Sequence, residues 1–168
     1  MKTNAKTIAS VITPEELLEH WQGHRALTRK VIEAFPENDL FNFSVGGMRP
    51  FYALAMEMID LAYHGLKGVT ANEWKEISEL PHYNNDKPVN TKEDLLQLWD
   101  SITQEIDRLW MGISLEHFHY TTLAFGQYEG TVFSVILYWI DNEIHHRGQG
   151  YVYLRALGIT PPPFWERY

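Results

Sequence analysis

The sequence predicts an all-α protein, a four-helix bundle with a long crossover between the second and third helices. Two observations predict it. Four stretches carry apolar residues at helical spacing behind recognisable start signals, and a polar, proline-punctuated segment divides the first two from the last two.

The first helix opens at Thr13-Pro14-Glu15-Glu16, with a hydroxyl cap, proline in the first turn and acids beside it. Its apolar stripe runs Leu17, Trp21, Thr28, Val31, Ile32 and Phe35, and Pro36 ends it. The second follows Ser44-Val45-Gly46-Gly47 and is predicted over Met48 to Gly65. It is apolar nearly all round, as a helix buried on more than one side must be. From Lys67 to Asn90 the chain reads as a connection, broken by Pro81, Asn84, Asn85 and Pro88, with one helical turn near Trp74.

The third helix begins at Thr91-Lys92-Glu93-Asp94, and Leu95, Trp99, Ile102, Ile106 and Leu109 mark its core face. Ser114 to Gly130 is expected to be irregular or extended. The last helix runs from Thr131 to Leu157, with Gly158 to stop it and Pro161-Pro162-Pro163 to prevent continuation. Phe133, Leu137, Ile140, Ile144 and Tyr151 are apolar on the side away from its expected core face. A homodimer is therefore expected.

Nothing in the chain divides it, so residues 1–168 are read as a single domain with an N-terminal extension over 1–12. With 45% hydrophobic and 21% charged residues the balance is globular. There is no cysteine, which excludes thiolate catalysis, disulfides and zinc–thiolate sites. A formal net charge of −8 argues against a nucleic-acid partner. No apolar run is long enough for a signal peptide or a membrane span, so no membrane partner and a cytoplasmic location are expected.

The most specific stretch is Asp141-Asn142-Glu143-Ile144-His145-His146-Arg147-Gly148-Gln149-Gly150 and its continuation to Gly158. Followed by Pro161-Pro162, it resembles the C-terminal signature of the DinB-like family of metal-binding four-helix bundles. That resemblance implies a dimer and one divalent ion on three histidines, one from the second helix and a His-x-x-x-His pair from the fourth. Carried over residue by residue, the last of these falls on His146, the first of the pair on Asn142, and the histidine of the second helix on Glu57. The implied metal site is thus Glu57, Asn142 and His146, with two imidazoles replaced.

Helix geometry allows this set, because Asn142 and His146 lie four apart on one face, with Trp139 one turn before them and Tyr153 two turns after. Trp139, Tyr153, His24 and His64 are the expected pocket-lining residues. Oxygen ligands in place of imidazoles would favour manganese or magnesium over nickel or zinc. Alternatively the metal has been lost, Glu57 pairs with His146, and Asn142 completes a hydrogen-bonded network.

Other features read as structural. His20 and His24 have chelating spacing but no acidic third ligand nearby in sequence. Glu143 and Arg147 are expected to form a surface pair, and Gly148 and Gly150 to mark close backbone packing. Two functions follow: a divalent-metal-dependent enzyme of thiol S-transferase or hydrolase type, as the resemblance implies, or a non-catalytic small-molecule-binding or stress-response protein without the metal. Either takes a small-molecule partner, and no substrate can be read from the residues.

Overall fold

The computed structural model describes residues 11–84 and 89–168. Asn85, Pro88 and the first ten residues of the N-terminal extension lie outside the described residues.

Among the described residues the order is α1 (Pro14–Ala34), α2 (Glu37–Asn42), α3 (Phe51–Ala71), α4 (Lys92–Trp110), β1 (Thr121–Ala124), β2 (Tyr128–Thr131) and α5 (Val132–Ala156). The start signals act as read. Thr13 Oγ1 accepts from the Glu16 amide at 3.2 Å while Glu16 Oε2 accepts from the Thr13 amide at 2.7 Å, a closed capping box. Thr91 caps α4 through the Asp94 amide, and Thr131 caps α5 through the Ser134 amide.

The four long helices form the bundle, α1 and α3 each packing on both α4 and α5. The core is aromatic. Trp21 and Trp99 are fully buried, and Phe51 stacks on Phe35 at 4.9 Å between ring centroids. Leu95, Trp99, Ile102, Ile106 and Leu109 all face inward from α4, as their spacing predicts.

The structure corrects two local expectations and sharpens a third. The second predicted helix, α3, continues to Ala71 rather than ending at Gly65. Gly65 does not break it; a Cβ there would stand 2.5 Å from the Trp139 ring, so the glycine is the seat for an indole. The extended stretch after Ser114 resolves into an antiparallel hairpin pairing Thr121 with Thr131 and Ala124 with Tyr128. It packs against α3 and α5. On α5, Ile140 belongs to the core and Phe133, Leu137 and Tyr151 are half-buried against it. Of the predicted apolar surplus only Ile144 is exposed.

Glu143 and Arg147 are likewise not at the surface. Both are buried at the α1–α5 seam, where Glu143 accepts from Thr28 at 2.7 Å and from the Trp21 indole at 3.3 Å. The fully buried Arg25 lies 3.6 Å from the same carboxylate. An i,i+4 spacing predicts a pair but not which way the helix face turns.

Candidate ligand site

Glu57 is the second-turn carboxylate of α3, a helix otherwise apolar on most sides. Burying it requires partners, and it has three. Its Oε1 accepts from Asn142 Nδ2 at 2.9 Å and from His146 Nε2 at 3.0 Å, both projecting from α5. Its Oε2 accepts from the Arg49 guanidinium at 2.5 Å. Arg49 stands just before Pro50, the N-cap residue of α3, and its backbone carbonyl accepts from Tyr153 Oη at 2.9 Å. One buried tyrosine thus fixes the loop from which the guanidinium reaches eight residues forward along the chain.

Burial pulls the Glu57 carboxyl upward. The hydrogen bonds from His146, Arg49 and Asn142 outweigh it and hold the group well below the usual carboxylate range. On its other side, His146 Nδ1 lies 2.8 Å from Gln149 Oε1. Both ring nitrogens of His146 therefore face oxygens.

Beside this network lies a cavity of about 640 Å³. Arg49 and Glu57 form one part of its wall, and Trp139, Phe125, Tyr128, Tyr138 and Tyr83 supply aromatic surface. The hairpin contributes Phe125 through a residue with φ of +54°, a left-handed conformation that is costly for a bulky side chain. That strain seats the Phe125 ring, almost fully buried, between Trp74 at 5.4 Å and Trp139 at 6.4 Å.

Of the residues singled out from the sequence, Glu57, Asn142 and His146 converge on one point, and Trp139 and Glu57 line the cavity. Tyr153 acts one step removed, through the Arg49 carbonyl. His64 is half-buried against Tyr63 and does not line this cavity.

His24 does not line it either. It sits at the α1–α5 seam, where its Nδ1 accepts from Arg147 at 2.9 Å and its Nε2 lies 3.1 Å from His20 Nε2. Burial, then Arg147, Arg167 and His20, push its imidazole down to about 3. His20 and His24 are thus part of the seam's hydrogen bonding. Gly150 marks close packing as expected, a Cβ there meeting the Phe51 ring at 2.4 Å. Gly148 has nothing near it.

Two functional features escaped the sequence reading. Arg49 had one available signal, a lone cation immediately before a proline-started apolar helix. The second is Asp60, three residues after Glu57 and buried. Its Oδ2 accepts from both the backbone amide and Nδ1 of His82, each at 2.8 Å. A second carboxylate on so apolar a helix was the signal for it.

A model of the DinB family matches residues 1–167. The chain belongs to the DinB family. Among solved structures, a DinB-like protein from Bacillus cereus superposes with a TM-score of 0.69 at 16% identity, over 89% of this chain and 95% of that one. A DinB-like protein from Bacillus subtilis gives 0.68 at 16% identity, over 90% and 99%. These similarities establish the DinB-like fold. Among curated proteins none matches the chain.

The donor set at the DinB position is already engaged in hydrogen bonds within the protein. Both carboxylate oxygens of Glu57 already accept hydrogen bonds, and each ring nitrogen of His146 lies within 3.0 Å of a protein oxygen, so an ion would have to displace these contacts. Asn142 turns its amide nitrogen, not its oxygen, towards Glu57. The positive charge beside the carboxylate is the Arg49 guanidinium. Among the described residues no three His, Asp or Glu side chains are grouped so as to hold a metal.

Proposed function

We propose that this DinB protein binds a small, largely apolar molecule with an anionic head group, without a metal. Arg49 carries the reading. It holds the position where a cation would balance Glu57, it lines the cavity, and only one of its five N–H donors is taken by Glu57. A planar guanidinium with free donors suits a carboxylate or sulfonate, and the aromatic walls suit a ring or an alkyl chain. The strained backbone at Phe125 supports the same reading, because such strain gathers at binding sites.

The test uses anilinonaphthalene sulfonate, an aromatic anion whose fluorescence rises in apolar surroundings. Saturable one-to-one binding is expected, weakened at least tenfold in Val135→Phe, which fills the cavity from α5, at unchanged circular dichroism. Binding that Val135→Phe leaves intact would sink the proposal.

One observation favours the metal-dependent enzyme instead. Asn142 Oδ1 is buried without a hydrogen-bond partner, the kind of acceptor a cation would use. Metal analysis of tag-free protein incubated with manganese, nickel, zinc and magnesium separates the two readings. A stoichiometric ion, lost in His146→Ala, would replace the first reading with the second.

A further inference from the structure

The cavity has a second polar wall that the Glu57 network does not use. His82 lines it from the connection between α3 and α4, and Asp60 stands behind His82 on α3. The Asp60 carboxylate is only 3% exposed and can act only as an acceptor, so its 2.8 Å contact with His82 Nδ1 requires the proton there. The backbone amide of His82 donates to the same oxygen and fixes the ring's base, so the imidazole is held at two points.

When the ring is neutral, that arrangement leaves the lone pair on Nε2. It has no hydrogen-bond partner among the described residues. A tether that only pinned the connection to α3 would be complete with the backbone hydrogen bond alone. The second contact sets the state of a ring that belongs to the cavity wall.

We propose that Asp60 and His82 form a proton-accepting site in this cavity, and that its ligand presents an acidic hydroxyl, of phenol or enol type, to His82 Nε2. The inference rests on the cavity being a ligand site. Its step is a proton transfer: the ligand O–H bond breaks, an Nε2–H bond forms, and the electron pair stays on the ligand oxygen. The imidazolium so formed keeps its Nδ1–H on Asp60, whose buried negative charge stabilises the new positive one. Arg49, on another part of the wall, remains available to the head group. Asp60 acts through His82 and is a positioning residue; His82 is the one that meets the ligand.

The test compares 4-nitrophenol with 4-nitroanisole, which has the same ring without the acidic proton. Measurements are made below the solution pKa of the phenol, where free phenol is mostly uncharged. The phenol is expected to bind about tenfold more tightly than the anisole and to show the visible phenolate band when bound. In His82→Phe both the preference and the band should vanish while anisole binding persists. In Asp60→Asn the band should weaken.

Nitrogen-15 correlation spectra of the unliganded protein give a readout that needs no ligand, and the Nδ1-protonated tautomer of His82 is expected. An Nε2-protonated ring, equal binding of the two compounds, or a phenolate band that survives in His82→Phe would each overturn the inference while leaving the cavity reading standing. Binding of neither compound, together with no dye binding, would overturn both.

Discussion

Glu57 sets the pH response of the site. Its carboxyl is depressed in the folded protein, so the folded state binds the proton less readily than the unfolded chain does. The stability it contributes is therefore complete above the unfolded carboxylate range, near 4.5, and is lost as pH falls through the lower folded value. Glu57→Gln removes the charge that holds Arg49 and His146, at an expected cost of roughly 1–3 kcal/mol at neutral pH. Because glutamine does not titrate, the gap between wild type and variant should close on acidification below pH 4.5. Urea midpoints at a series of pH values measure this, and a gap that widens in acid would contradict the assignment.

Spacing along α5 shows that Asn142 and His146 share a face, but their convergence with Glu57 was legible only through the family resemblance, which places Glu57 opposite them. Arg49 was not, since a loop cation's reach depends on how Tyr153 anchors the backbone beside it.

At the scale of the element, α3 organises the cavity. It presents Glu57, Asp60 and Leu61 to its surroundings and receives Trp139 against Gly65. Its extent was misread for a physical reason. Glycine in a sequence signals a helix end, and only the position of a distant indole shows that a missing Cβ can serve packing. The hairpin escaped for another reason: strands of four residues with mixed exposure carry too little alternation to be recognised.

Gly65→Ala tests the role of α3 directly. The added methyl favours helix by up to about 1 kcal/mol, yet it would meet the Trp139 ring at 2.5 Å, and a rigid indole cannot bend away. The expected net effect is a loss of about 1–3 kcal/mol. A shift in tryptophan fluorescence and weaker dye binding should accompany it, because the ring displaced from Gly65 is a wall of the cavity. A variant more stable than wild type, with unchanged dye affinity, would show that the indole has room to move.

Among the described residues, the polar networks around Glu57 and Glu143 differ in depth. The Glu57 network opens onto the cavity, and its Arg49 side chain is 47% exposed. The Glu143 network is closed. Arg25 is fully buried over the Trp99 ring, its guanidinium carbon 3.4 Å from the ring centroid, and Arg147 bonds the His24 carbonyl and ring. Two buried guanidinium groups thus depend on one buried carboxylate, and no solvent is at hand to replace it. Leaving buried cations unpaired costs about 3–5 kcal/mol, more than exposing a pair that water can solvate.

Glu143→Gln keeps the volume and one acceptor for Thr28 but removes the charge facing Arg25. It should therefore destabilise the fold more than Glu57→Gln, while leaving dye binding of the folded fraction unchanged. The comparison needs only urea unfolding and a dye titration on each variant. If Glu143→Gln proved the milder of the two, Arg25 would have to be held by its Trp99 and Thr103 contacts rather than by charge. The division into a sealed structural network and an open binding network would then fail.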